Sequence, residues 1–159
     1  MWNDRKGQSM KIKLIVLFAF VFCIQDALCG VPARLPGRSI TVKRLPATLR
    51  QFLVRHLAGL HHFAYRSDRR FYYACDEAGG YYLFCGEGTL RGFCLHMRQP
   101  TREIVDLLPE AVTARIRELY PNYFLCSFLP EGEGFRAELF GTDNRTLHFD
   151  GQGCLLGEE

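Results

Sequence analysis

The stretch "YLFCGEGTL" at residues 82–90 recurs in altered form as "LHFDGQGCL" at residues 147–155, with both glycines in register. The two stretches begin at 82 and 147, and this offset of 65 residues is about the length of one small supersecondary unit. A second landmark repeats upstream, because a Leu-Pro dipeptide begins both "LPATLRQFL" at residue 45 and "LPEAVTARI" at residue 108. Two landmarks in the same order indicate an internal duplication.

A short helix is predicted after each Leu-Pro dipeptide. Proline is favoured in the first turn of a helix, where its missing N–H group has no partner to lose. After Pro46 and after Pro109, apolar residues recur at intervals of three and four, which is the period of a helix with one buried face. Each helix is therefore expected to cover one face of another element.

Alternation of side chains with a period of two follows each helix and predicts half-buried strands joined by short, glycine-containing connectors. The predicted fold class is α+β, with two tandem α-β4 repeats that form one curved antiparallel sheet with helices packed on one face. The predicted boundaries are residues 1–29 for a signal peptide, 30–43 for an N-terminal lead-in, 44–98 for the first repeat and 99–159 for the second.

Each Gly-x-Gly pair is interpreted as a hairpin turn, because glycine readily adopts the positive φ that closes such a turn. A phosphate-binding loop requires a helix directly after its glycines, whereas a predicted strand follows here. The residues assigned to the two turns are Gly86, Gly88, Asp150, Gly151 and Gly153.

The alternation also assigns strand side chains to the two faces of the sheet. Those expected to point toward the helices are Phe71, Tyr73, Tyr82, Phe84, Phe135, Ala137, Leu139, Leu147 and Phe149. Their neighbours are expected on an uncovered face whose mixture of aromatic and charged residues is typical of a protein-recognition patch. These candidate binding residues are Tyr72, Tyr81, Leu83, Arg136, Glu138, Phe140 and His148. Cross-strand aromatic pairs also stabilise a sheet without a partner, so both interpretations stay open.

The N-terminal sequence has the layout of a cleaved secretory signal. Two lysines precede an apolar run at residues 14–24, and the tripeptide at residues 27–29 suits cleavage before Gly30. The run is shorter than the roughly 18 to 20 residues of a membrane span, and a large residue before the cysteine disfavours a lipoprotein signal. We expect a periplasmic or secreted protein with no stable membrane span after cleavage, whether translation starts at Met1 or Met10.

Charge is distributed unevenly along the chain. Residues 30–98 contain 11 Lys or Arg against 4 Asp or Glu, whereas residues 99–159 contain 5 against 11. Half of the molecule would repel phosphate, and an exported protein does not meet nucleic acid, so nucleic-acid binding is not expected.

Cysteine and histidine provide only weak signals for catalysis or metal binding. Cys94 and His96 lie two residues apart on a predicted strand, but no spacing indicates an oxyanion site, even with Asp150 as a third member. The adjacent pair His61 and His62 would point in different directions. We therefore expect no enzyme, no cofactor and no metal site. Disulfide pairing stays open for an odd number of cysteines without C-x-x-C spacing, namely Cys75, Cys85, Cys94, Cys126 and Cys154.

These features resemble the PepSY-like proteins of the β-lactamase-inhibitor-like group found in Bacteroidetes. The resemblance covers Arg44–Gly157 and rests on Leu-Pro before a short helix, aromatic-rich strand pairs and a terminal Phe-Asp-x-x-Gly hairpin, in tandem. The first copy departs from the pattern, with Cys85 at the position that Asp150 occupies in the second. The resemblance implies a non-catalytic exported module that binds or inhibits an envelope or secreted protein. The alternatives are a small-ligand carrier with a pocket between helices and sheet, and a Cys-His hydrolase.

Overall fold

The computed structural model describes residue 35 and residues 37–57, 64–68 and 70–159. The predicted signal peptide and the pair His61 and His62 lie outside the described residues. The described strands are β1 (Arg38–Ile40), β2 (Ala64–Ser67), β3 (Phe71–Cys75), β4 (Tyr81–Cys85), β5 (Leu90–Cys94), β6 (Phe124–Glu131), β7 (Gly134–Phe140), β8 (Asn144–Phe149) and β9 (Leu155–Glu158). The described helices are α1 (Ala47–His56), α2 (Arg102–Val105) and α3 (Glu110–Leu119), and a 3-10 turn spans Val42–Arg44.

The nine strands form one antiparallel sheet in which each strand pairs with the next one in sequence. Irregularities in register interrupt the pairing of β4 with β5, of β6 with β7 and of β8 with β9. Such bulges bend a strand and increase its twist. β5 and β6 are paired through Phe93 opposite Phe128 and Cys94 opposite Ser127, so this short ladder joins the first five strands to the last four. The predicted antiparallel sheet is present.

The two longer helices begin directly after the prolines that predicted them. Pro46 and Pro109 each occupy the position just before the helix, one residue earlier than expected, and neither helix has a side-chain cap there. α1 buries Leu49 and Leu53, which are four residues apart and therefore on the same side of the helix. α3 buries Val112, Thr113 and Ile116 in the same way. α2 is a single turn that the sequence pattern did not predict.

One cluster of buried side chains includes residues of all three helices and of one face of the sheet. We call this face the core face. Its buried strand residues are Ala74, Tyr82, Phe84, Phe93, Leu125, Phe128, Ala137, Leu139, Leu147 and Phe149. Burying each Leu or Phe side chain stabilises the fold by roughly 1.5 to 3 kcal/mol.

The lead-in predicted for residues 30–43 contains a strand. β1 pairs with β2, with Ile40 opposite Tyr65 and Arg38 opposite Ser67. Ile40 packs against the buried cluster. β1 is only three residues long and its first two residues are polar, which is why alternation did not reveal it.

The assignment of β3 to the two faces is wrong by one residue. Tyr72 lies opposite Phe84, and Ala74 lies on the same face two residues further along. The side chains of Phe71 and Tyr73 therefore lie on the opposite face. β3 reads "FYYAC", so polarity does not alternate along it, and only pairing with β4 decides which side chains are buried with the helices.

Candidate functional site

The face opposite the core face can be followed from strand to strand by register. Tyr81 lies opposite Cys94, Cys94 opposite Ser127, and Ser127 opposite Glu138. Residues directly opposite each other in an antiparallel pair have side chains on the same face. We call this the outer face, and its residues include Arg66, Tyr73, Tyr81, Leu83, Ser127, Arg136, Glu138, Phe140 and His148.

The outer face contains most of the residues that the sequence predicted for binding. Those on it are Tyr81, Leu83, Arg136, Glu138, Phe140 and His148. The expectation for Tyr72 is wrong, because its side chain lies on the core face and packs against the buried cluster. Tyr73 occupies the outer face in its place.

The centre of the outer face is more buried than an uncovered patch would be. Tyr81 and Leu83 are 6% and 7% exposed, so they are not the solvent-facing residues that the sequence suggested. The ring of Tyr73 lies beside that of Tyr81, with 6.1 Å between the ring centroids. Burial, with a smaller contribution from Asp68, raises the pKa of Tyr73 to about 12, and burial also raises the pKa of Tyr81. Both phenols therefore stay protonated at physiological pH.

Charged groups flank this aromatic centre. Arg136 forms an ion pair with Glu138, and their side chains are 29% and 12% exposed. On the neighbouring strand, Nδ1 of His148 lies 2.7 Å from Oε2 of Glu131. The half-buried pair of Arg136 and Glu138 is poorly screened by solvent and sensitive to the loss of one partner.

Several polar atoms of the outer face have no hydrogen-bond partner. The described residues contain six buried side-chain nitrogen or oxygen atoms without one, and four of these six lie on the outer face. Buried polar groups in native proteins nearly always have a partner, and an unmade hydrogen bond costs about 1 to 3 kcal/mol. The four atoms are Arg66 Nε, Ser127 Oγ, Glu138 Oε2 and His148 Nε2. Because these atoms have almost no exposed surface, an external partner reaches them only when neighbouring side chains move aside.

Ser127 and Arg66 were missed by reasoning from sequence. Ser127 lies in β6, where the register shifts between Leu125 and Ser127, so a strict period of two does not reveal its face. A serine within the otherwise apolar run "FLCSFL" was the available signal. Arg66 lies on a short strand with little alternation, and only its position opposite Tyr73 places it on the outer face.

The surroundings of Cys94 and of His96 do not suit a catalytic pair. Cys94 is fully buried at the end of β5. His96 lies beyond the strand with a positive φ of 48°, and its Nε2 is 2.9 Å from the carbonyl oxygen of Gly79. Asp150 Oδ1 accepts hydrogen bonds from the N–H groups of its own turn. The three residues therefore do not have the contacts of a nucleophile, base and orienting acid.

The two Gly-x-Gly turns have the backbone that the sequence predicted for them. Gly88 has a φ of 89° and Gly153 a φ of 86°, whereas Gly86 and Gly151 are not in the left-handed region. Both turns also approach a helix N-terminus: a Cβ atom on Gly88 would lie 2.8 Å from the Leu49 nitrogen. The turns therefore need glycine for conformation and for space.

The side chain that opens each turn accepts hydrogen bonds from the backbone. Asp150 Oδ1 lies 2.9 Å from the nitrogen of Gln152 and 2.8 Å from that of Cys154. Cys85 occupies the equivalent position in the other turn. Burial raises the pKa of its thiol, but hydrogen bonds from backbone groups such as the Thr89 N–H outweigh burial and leave the pKa below its ordinary value.

Neither metal ligation nor disulfide bonding is found in the part of the chain that the structure describes. No group of three or more His, Cys, Asp or Glu side chains there could hold a metal ion. Cys75, Cys85, Cys126 and Cys154 have free thiols. Among the described helices, none has the length and apolar character needed to cross a lipid bilayer.

A groove of about 300 Å³ lies on the core face beside the α2–α3 connection. Two stacked aromatic rings, those of Phe128 and Phe135, line it with their centroids 4.9 Å apart. The other lining residues are Leu90, Arg91, Leu107, Leu108 and Pro109. It lies between the α2–α3 connection and the sheet and is open to solvent.

Comparison with known proteins identifies the fold but no family. No protein-family model matches the chain, and no curated protein matches it. Solved structures do match, among them a protein from Bacteroides thetaiotaomicron that has been proposed to be periplasmic and calcium-regulated. That match has a TM-score of 0.62 at 17% sequence identity, and covers 77% of this chain and 95% of the other.

Two further solved structures come from Bacteroides vulgatus. One is a proposed periplasmic protein of the DUF2874 family, with a TM-score of 0.63 at 17% identity over 77% of this chain and 95% of that one. The other is a proposed periplasmic protein of unknown function, with a TM-score of 0.60 at 15% identity over 77% of this chain and 99% of that one. At these identities the likeness shows a shared fold alone.

Proposed function

We propose that this protein is an exported, non-catalytic binding module whose outer face binds another protein of the cell envelope. The observation that carries the proposal is the set of four buried polar atoms without hydrogen-bond partners on that face. For one of them, His148 Nε2, the Oε2 atom of Glu159 lies 4.0 Å away. Ser127 is the strongest of these, because it is 1% exposed and its hydroxyl oxygen makes no hydrogen bond. A bound partner would remove the cost of these unmade hydrogen bonds.

The spread of the four atoms favours a protein partner over a small molecule. They lie on β2, β6, β7 and β8. Neighbouring strands are about 4.8 Å apart, so the distance across the sheet from β2 to β8 is roughly 29 Å. Small molecules are bound in concave sites that enclose most of their surface, whereas a protein partner contacts a wide face. Arg136 and Phe140 stay partly exposed on this face, and Arg and aromatic residues are enriched at protein interfaces.

Export is supported by the N-terminal sequence, with cleavage proposed before Gly30, and by three structurally similar proteins that have themselves been proposed to be periplasmic. The PepSY-like resemblance points the same way. We further propose that residues 44–98 and 99–159 are tandem α-β4 repeats with their helices on the core face. This is supported by the order of elements, since each segment contains a ten-residue helix followed by four strands. Residues of both helices also belong to one buried cluster.

The proposal that the module is not an enzyme is supported by the surroundings of its most reactive residue types. The thiol of Cys94 is buried, and the ring of His96 is hydrogen-bonded to a backbone carbonyl group. A Cys-His hydrolase needs an accessible thiol and a base within hydrogen-bond reach of it.

The test is site-specific photo-crosslinking in the envelope of the native host. Phe140 is half-buried on the outer face, and replacing it with a photo-reactive phenylalanine analogue places the reactive group there. Val54, which is 74% exposed on α1, receives the same analogue as a control. We expect a discrete protein adduct from position 140 and none from position 54. Equal adducts at both positions, or no adduct at position 140, would contradict the proposal.

Ser127→Ala then tests whether the Ser127 hydroxyl group contributes to binding of the partner. Because the hydroxyl group is buried without a partner, its removal should leave the melting temperature unchanged or slightly raised. We expect the yield of the position-140 adduct to fall at least about five-fold, which corresponds to about 1 kcal/mol. Ser67→Ala is the matched control, since Ser67 donates its own hydrogen bond to the Asp68 carbonyl and lies opposite Tyr72 on the core face. An undiminished adduct yield in Ser127→Ala would show that the interface does not include Ser127 on β6.

A further inference from the structure

The groove beside the α2–α3 connection is lined mainly by apolar side chains and is open to solvent. Phe128 is 1% exposed, and its ring is stacked on that of Phe135 at an interplanar angle of 22°. Leu107 contributes to the wall, yet it is 50% exposed. A large aliphatic side chain left half in water beside two aromatic rings favours an apolar ligand that covers it.

A single cation lies among the residues that line this groove. Arg91 is exposed, and it has no hydrogen-bond or ion-pair partner among the residues that the structure describes. None of the lining residues is acidic. Arginine residues elsewhere do have carboxylate partners, as Arg98 has in Asp76 and Arg145 has in Glu158. The groove therefore combines a mainly apolar lining with an uncompensated positive charge.

The position of Arg91 follows from the irregular pairing of β4 with β5. Phe84 lies opposite Leu90 and Leu83 lies opposite Gly92, so Arg91 is the extra residue between two paired ones. A bulge commonly re-aims a side chain next to a functional site. Here the bulged residue is one of those that line the groove.

We infer that this groove binds a small amphiphile, namely an acyl chain of about eight carbons with a carboxylate group that pairs with Arg91. The volume of about 300 Å³ sets the size. With about 30 Å³ for each non-hydrogen atom, the share of a water molecule in the liquid, the groove holds roughly ten such atoms. Octanoate has about that number, with its chain against the aromatic rings and its carboxylate at the guanidinium group. This site lies on the core face and is independent of the proposed protein-binding outer face.

The experiment is a titration of the isotope-labelled mature chain, residues 30–159, with octanoate, followed by heteronuclear NMR. We expect saturable shifts of the Leu107, Leu90 and Phe135 signals, with a dissociation constant on the order of 1 mM for a ligand of this size. Octanol should bind through the same signals but more weakly, and octylammonium more weakly still, because the cation is repelled by Arg91.

Two variants separate the charge from the apolar contact. Arg91→Gln should weaken octanoate binding about three- to five-fold and leave octanol binding unchanged, as the loss of one partly exposed ion pair predicts. Leu107→Gln should weaken both ligands, and its half-exposed position makes it compatible with folding. Arg50→Gln is the matched control, because Arg50 is also exposed, has no charged partner among the described residues and does not line the groove.

Several results would overturn the inference. Shifts that increase linearly with octanoate up to several times about 1 mM would show the absence of a defined site. Equal weakening of octanoate binding by Arg91→Gln and Arg50→Gln would show that the effect comes from general surface charge. Equal affinity for octanoate and octylammonium would show that Arg91 does not select the ligand charge.

Discussion

Asp150 and Cys85 perform the same structural task with different chemistry. Each opens a Gly-x-Gly turn and accepts hydrogen bonds from the N–H groups two and four residues ahead. A carboxylate is a much stronger acceptor than a thiol, and bonds to a charged acceptor are worth about 1.5 to 3 kcal/mol. The turn that begins with Cys85 is therefore the weaker of the two.

Substitutions at these two positions should change the free energy of unfolding in opposite directions. Asp150→Ala should lower the free energy of unfolding by about 1 to 2 kcal/mol, because the N–H groups of Gln152 and Cys154 lose their acceptor. Cys85→Asp should maintain or raise it, because the same backbone geometry then has a carboxylate. Urea denaturation measures both. A destabilised Cys85→Asp, with Asp150→Ala unchanged, would show that these side chains do not close the turns.

The lowered pKa of Cys85 predicts selective reactivity. Cys85 and Cys75 are both partly exposed, but burial raises the pKa of Cys75 to about 11, whereas that of Cys85 lies below its ordinary value. The thiolate is the reactive form, so iodoacetamide at about pH 7 should alkylate Cys85 well before Cys75. Peptide mapping of the folded protein by mass spectrometry measures the two rates. Similar rates that rise together only above about pH 9 would contradict the prediction.

At the scale of elements, the turns and the helix N-termini depend on each other. A Cβ atom on Gly88 would lie 2.5 Å from Thr48 Oγ1, and one on Gly153 would lie 2.9 Å from Ala111 Cβ. Each turn therefore packs on the first residues of one of the longer helices, α1 or α3. The glycines therefore allow each turn to lie close to the N-terminus of a helix.

Substituting the turn glycines tests this contact. Gly88→Val and Gly153→Val should each lower the free energy of unfolding by at least about 2 kcal/mol, because a β-branched residue is strained at positive φ and would also meet the helix. Gly157→Ala is the control, since an added Cβ there meets nothing within 4 Å. Thermal and urea denaturation measure all three. Unchanged stability in both valine variants would show that the turns are not held in this way.

At the scale of the whole molecule, both candidate sites include the place where the first five strands meet the last four. Ser127 and Phe128 are neighbours on β6, so one side chain reaches the outer face and the other lines the groove on the core face. The groove combines Leu90 and Arg91 of β5 with Phe135 of β7. Each site therefore needs residues from both sequence segments.

Local patterns in the sequence determined the elements of this fold. Proline before a period of three to four predicted both longer helices, and paired glycines before a strand predicted both turns, because backbone conformation depends mainly on near neighbours. Alternation also assigned β7 and β8 to the correct faces, since polar and apolar residues are distinct there. The assignment of β4 was also correct, although its sequence YYLFC has no such contrast. The antiparallel sheet and most of the outer-face residues were thus predictable.

The tertiary structure alone decided the rest. β3 has aromatic residues at three successive positions, so its register with β4 determined that Tyr72 is on the core face and Tyr73 on the outer face. The bulges in β5 and β6 placed Arg91 at the groove and Ser127 on the outer face. A register shift of one residue reverses every side chain of a strand, and pairing between distant residues sets that register. For this reason local patterns in the sequence identified most residues of the outer face but did not place Tyr73, Ser127 or Arg91.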